Sequence, residues 1–329
     1  MSLIVTGLWA HALYCCCGYA IQPVKTREAR RALAQSDHYE EDLALFACTQ
    51  AMKFSTPLAL TLNACQEGHR PLFLGSDLPE GIEDFPFPPV EILVKEDAAP
   101  LEDPSAACHV APFRGTAEKV LRRLAFNGPR RRWPEIYVTA PEYQFVQAAQ
   151  RRSPVQAALM GAGLSGFYRA RPDYPEGCTA PEDPLMTKES ATRFIAAWPD
   201  ADEAEKARSA LAIMPERARL APIASTALLL CLPEEQGGYG LEWPELSAKP
   251  ELTPEAREVL DNGGTKDEVS AALGVDVLHV GLEDFETVEG LDRLVQEHLA
   301  PALGAGKRHP NREKQRALHR EVMGPHWWW

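Results

Sequence analysis

The chain lacks the short motifs that would name a reaction. It has no Walker loop, no GxGxxG and no GxSxG, and the glycine-containing run at 161–166 follows no clear strand. These motifs name no cofactor, and the cofactor stays open. No two cysteines form a CxxC pair; the eight stand scattered at 15, 16, 17, 48, 65, 108, 178 and 231. Three in succession cannot all bridge to one region with normal disulfide geometry. This argues against a disulfide scaffold and for a reduced, cytoplasmic setting. No metal site is expected either. His11 with Cys15, Cys16 and Cys17 offers soft ligands at helical spacing, but a fourth ligand would have to come from afar. Adjacent Cys108 and His109 point apart on a strand, which excludes a nucleophile–base pair. The chain also shows no internal repeat and no low-complexity array.

Charge is missing from residues 3–21, apart from a proton on His11. As one helix this stretch would be roughly 28 Å long, close to a bilayer core. Gly7, Gly18, Thr6, His11 and the cysteines lower its hydropathy, and it lacks the basic start and small-residue cleavage site of a signal peptide. The favoured reading is a buried strand near 3–6 followed by a short apolar helix, with a membrane anchor as the alternative.

What the sequence does hold is an ordinary globular composition, 45% apolar and 25% charged over 329 residues, enough for two subdomains. The net charge of −13 is unevenly spread. Residues 114–152 carry nine Lys/Arg against three Glu, and residues 306–329 carry six against two. The rest of the chain therefore bears −23. A segregated charge of this kind can present a phosphate-binding face on an acidic body.

Apolar periodicity predicts helices over 26–35, 39–54, 57–66, 116–126, 141–150, 200–213 and 288–299. Strands are expected at 71–75, 90–94, 135–139, 194–198, 227–232 and 275–280. Alternation of this kind implies an α/β fold, a largely parallel sheet with crossover helices. The expected organisation is an N-terminal α/β domain over 1–170 with a basic-aromatic insert. A proline-rich linker over 171–187 comes next, then a second α/β domain over 188–304 and a basic, Trp-ended tail over 305–329.

Two basic segments are the candidate sites. In the first, Arg122, Arg123, Arg130, Arg131 and Arg132 would grip phosphate oxygens, with Trp133 stacking on a base. In the second, Lys307 and Arg308 precede a basic helix over 313–323 and the terminal Trp327, Trp328 and Trp329. An apolar cluster beside basic charge suits a protein partner groove, a membrane surface or a nucleic acid, as well as docking onto the chain's own body. The expectation is a nucleic-acid- or phosphate-binding protein, alone or as a subunit of a larger nucleoprotein assembly. The alternatives are a nucleotide- or nucleotide-sugar-dependent enzyme with Gly75, Ser76 and Asp77 at a strand end, and a structural subunit docking through the tail.

Two local resemblances accompany these readings. Residues 252–275, with helices at 254–260 and 266–273 and Thr265 as an N-cap, resemble the first two helices of helix-turn-helix DNA readers. The recognition helix should come next, but 275–280 is β-branched. Residues 64–75, where a helix ends in Gly-His before a strand, look like an early passage of two-domain glycosyltransferases. That resemblance implies a nucleotide-sugar donor, although the glycine-rich loop expected upstream is missing.

Overall fold

The structure is a computed structural model, and it describes residues 2–17, 21–36, 90–95, 108–125, 135–166, 169–170, 178–179, 184–214, 224–241, 252–274, 284 and 287–323. The elements predicted at 39–54, 57–66, 71–75 and 275–280 lie outside them. The described residues gather into two compact units, one within 1–228 and the other within 229–323.

The first unit is built on a six-stranded sheet in the order β2-β5-β6-β1-β3-β4. Its strands are β1 (Ser2–Val5), β2 (Ile21–Pro23), β3 (Val90–Val94), β4 (Cys108–Pro112), β5 (Leu121–Leu124) and β6 (Glu135–Thr139). All four residues of β1 are buried, as a strand covered on both faces requires. Sheet direction departs from expectation. β1 runs parallel to β6, and β3 parallel to β4. The other three pairs, β1–β3, β2–β5 and β5–β6, are antiparallel. The sheet is mixed rather than largely parallel. The reason lies in connection length: only ten residues separate β5 from β6, too few for a crossover.

Helices α1 (Gly7–Cys17) and α2 (Thr26–Ala34) come after β1 and β2 respectively. With β1, α1 matches the strand-then-helix reading of the N-terminus, and no described helix is long and apolar enough to cross a membrane. α2 lays Ala29 and Ala32 against Ile4, Leu93, Leu121 and Tyr137 of the sheet. The small alanines let the helix approach closely.

The helix predicted over 116–126 is only one turn, α3 (Ala117–Val120), and then becomes β5. Val120, Leu121 and Leu124 fit a helical face, but Leu121 and Leu124 are buried equally well from a strand that pairs on both sides. Sheet pairing overrides the local pattern.

Four helices come next, α4 (Pro141–Arg151), α5 (Pro154–Leu164), α6 (Lys188–Ala196) and α7 (Ala201–Ile213). Pro141 and Pro154 occupy first turns, where their missing N–H costs no hydrogen bond. Residues 194–198, expected as a strand, form the last turn of α6 and its exit. The overlooked signal was the cap, in which Thr187 and Ser190 exchange side-chain-to-backbone bonds of 3.0 and 3.1 Å. Phe194 and Trp198 are four apart, and both pack edge-on against Tyr143, which stacks on Phe113 at 5.8 Å. The strand β7 (Arg169–Ala170) pairs with β8 (Cys178–Thr179).

The strand predicted at 227–232 is helix α8 (Ala224–Cys231), since a short apolar run does not distinguish the two. The second unit then contains α9 (Pro254–Asp261), α10 (Lys266–Ala272) and α11 (Val288–Leu294). A π-helical turn over Val295–Leu299, the short α12 (Ala300–Ala302) and α13 (Arg312–Met323) complete it. Thr265 caps α10 as expected, exchanging bonds with Glu268.

Candidate functional site

The first basic segment divides. Arg122 and Arg123 lie on β5, and Arg130, Arg131, Arg132 and Trp133 lie outside the described residues. Arg123 stands 3.5 Å from a Glu28 oxygen and 3.6 Å from Glu135, while Arg31 stands 3.5 Å from Glu135. The Tyr137 hydroxyl lies 3.3 Å from Glu28 and 3.1 Å from Glu135. Its burial first, then the Glu135 charge, push its pKa up to about 12, so it stays a donor to these carboxylates. Arg122 turns back onto the backbone, its guanidinium donating to the Leu121 carbonyl at 3.1 Å. Both β5 arginines thus have partners on the sheet's own surface.

The second basic segment is folded against its unit. Arg308 pairs with Glu234 at 3.7 Å. Its carbonyl accepts from the Gln296 amide at 2.6 Å, and its N–H donates back to the same side chain at 3.2 Å. Lys307 is exposed, and Trp327, Trp328 and Trp329 lie outside the described residues. The Asn311 side chain then accepts from the Lys314 N–H at 3.1 Å, capping α13.

α13 is the helix predicted over 313–323, and it is strongly two-faced. Gln315, Leu318, His319 and Val322 are buried, while Arg312, Arg316 and Arg320 are exposed. These three arginines stand at i, i+4 and i+8, which puts successive Cα atoms roughly 6 Å apart along one helix face. They form one wall of a groove of about 540 Å³ with Val288, Glu289, Glu313 and His319.

A buried network holds the first arginine. The Arg312 guanidinium binds Asp292, and it also donates to the Gln315 side-chain oxygen at 2.8 Å. Asp292 accepts from the Tyr239 hydroxyl and, at 2.9 Å, from the Gln315 amide, which lies 2.6 Å from the same hydroxyl. Burial pushes the Asp292 carboxyl up, but the bonds from Tyr239, Gln315 and Arg312 outweigh it and hold the carboxyl below its usual range. Tyr239, fully buried, is pushed well above an ordinary phenol, first by burial and then by Asp292. Asp292 also helps to raise the Arg312 pKa, so this guanidinium stays charged. Among the described residues, neither Arg316 nor Arg320 has an ion-pair partner. Sequence motifs taken singly do not reveal this ladder; the four-residue spacing of the arginines was the available signal.

Other candidates resolve differently. The helices α9 and α10 form the expected hairpin around Gly263, whose φ of +76° suits glycine. They bury only Ala256, and residues 275–283, where a recognition helix would stand, lie outside the described residues. Gly75, Ser76 and Asp77 also lie outside. The parallel pair β1–β6 ends side by side at Thr6 and Thr139, whose hydroxyls are 3.1 Å apart; Thr6 also donates to Gln147. Cys108 and His109 are successive residues of β4.

Compared with protein-family models, with curated proteins and with solved structures, the chain matches none.

Proposed function

We propose that this protein binds nucleic-acid phosphates, with Arg312, Arg316 and Arg320 of α13 as the principal contacts. The observation that carries the reading is the ladder itself. Three guanidinium-bearing positions share one exposed helix face beside a groove, and two of them have no ion-pair partner among the described residues. Arg312 gives one guanidinium nitrogen to Asp292 and Gln315 and keeps the rest of its fork, whereas Arg316 and Arg320 keep theirs whole. The segregated charge supports the same reading, because an acidic body discourages polyanions everywhere except at such a face. Arg130, Arg131 and Arg132 with Trp133 are a second contact segment in this proposal.

Fluorescence-anisotropy titration of labelled single- and double-stranded DNA and RNA against salt tests it. Saturable binding should fall linearly in log–log salt, and Arg316→Glu with Arg320→Glu should weaken it and flatten the slope. An unchanged affinity in that double variant would refute the ladder.

The enzyme reading keeps one observation in its favour, the adjacent ends of β1 and β6. Open α/β sheets bind ligands at the carboxyl ends of their parallel strands. Thermal stabilisation by nucleotides, retained in the α13 double variant, would shift the assignment to that end of the sheet.

A further inference from the structure

Resting on the phosphate-binding reading, we infer that the α13 groove receives one unpaired base of a single-stranded nucleic acid, its amino edge against Glu289 and Glu313. The composition of the groove leads there. A surface that attracted polyanions by charge alone would gain nothing from carboxylates, yet Glu289 and Glu313 line the same groove as Arg312, Arg316 and Arg320. Asp292 first, and Glu289 to a smaller extent, hold the proton on Arg312. Any phosphate run laid across the whole groove would meet both acids and be repelled. A ligand that fits must offer anionic groups to the arginine wall and hydrogen-bond donors to the carboxylates.

A nucleotide is such a ligand. Its phosphate takes arginine forks, and the exocyclic amino group of cytosine donates to a carboxylate. Shape agrees with the charge pattern. Val288 and His319 are 8% and 7% exposed and so lie recessed at the floor, below the exposed arginines. The volume of about 540 Å³ is within the range of small-ligand clefts. A base reaches a recessed floor only when it is free of its pairing partner, as in single strands and loops. In a duplex the bases are stacked and paired, and only the backbone could touch the ladder.

The arginine spacing then orients the strand. Successive phosphates would track the ladder along α13, and the base of one nucleotide would turn inward between the helix and the start of α11. The carboxylates supply base preference and the arginines supply affinity and salt dependence. The two contributions are therefore separable by mutation.

The experiment uses the full chain and three labelled probes about twelve nucleotides long, within the site sizes of single-strand binders. They are an oligo-dC strand, an abasic strand of equal length and charge, and the oligo-dC strand annealed to its complement; ribose versions of the first two show which sugar is preferred. Oligo-dC should bind about tenfold more tightly than the abasic strand and the duplex, the discrimination one good side-chain–base pair supplies. Glu289→Ala with Glu313→Ala should leave oligo-dC and the abasic strand bound alike, with the salt slope unchanged. Both residues are exposed and alanine is a good helix former, so the fold is spared; thermal unfolding confirms this. Equal affinity for oligo-dC and the abasic strand overturns base insertion and leaves phosphate binding standing, as does a duplex bound as tightly as the single strand. The absence of saturable binding to every probe overturns both readings.

Discussion

Asp292 is the residue through which the arginine ladder is tied to its unit. Its side chain is 15% exposed, and it accepts from Tyr239, Gln315 and Arg312 together. Asp292→Asn removes the charge that these donors answer, at a cost of about 1.5–3 kcal/mol, the value of hydrogen bonds to a charged group. The pH dependence comes from the lowered carboxyl pKa. A depressed folded value means that the stability is fully present above the unfolded value near 4, and is lost as pH falls through the folded one. Urea unfolding of the two proteins should therefore differ at neutral pH and converge below about pH 4. A gap that persisted into acid would assign the effect to packing instead. At the other unit, Gly7 has φ +60°, and a Cβ there would sit 1.7 Å from a Glu91 carboxylate oxygen. Gly7→Ala must absorb left-handed strain of about 1–2 kcal/mol and displace the carboxylate that pairs with Arg151. A clearly lowered Tm, partly restored by Glu91→Ala in the same chain, is the expected outcome.

Elements whose ends are chemically marked were legible in the sequence; those defined by distant pairing were not. Thr265 and Glu268 announce α10, and Pro141 announces α4, because caps and first-turn prolines act within a few residues. The turn from α3 into β5 could not be read, because what makes 121–124 a strand is its ladder with β2 on one side and β6 on the other. The same holds for α8, an apolar run that suits either state. For the candidate site, the basic character of the tail was evident, and so was its helix. The groove was not, since part of its lining comes from α11 and its floor depends on which α13 residues are buried. The α10 cap makes a quantitative case. No residue of Lys266–Ala272 is buried, so packing contributes little and the cap carries much of the helix. Thr265→Ala should cost about 1 kcal/mol, a factor of about five in local opening. Amide exchange at Val269 and Leu273 should quicken by that factor, with exchange in α13 unaffected.

At the scale of the whole molecule, the proposed binding raises the question of how many phosphates an acidic protein would hold at once. The chain carries −13 overall, so binding of a polyanion would require the basic segments to overcome long-range repulsion locally. Counterion release counts the contacts, because each phosphate neutralised on a single strand contributes about 0.7 to the slope of log K against log salt. Three contacts from Arg312, Arg316 and Arg320 predict a slope of about −2. Engagement of Arg130, Arg131 and Arg132 by the same strand would double the number of contacts and carry the slope to about −4. The triple change of these three residues to glutamate separates the cases. A slope that drops from about −4 to about −2, with binding retained, would mean that both segments hold one strand. A slope near −2 in both proteins would mean that α13 acts alone. In that case Arg130, Arg131 and Arg132 take no part in the binding, and Arg122 and Arg123 keep their partners Leu121, Glu28 and Glu135.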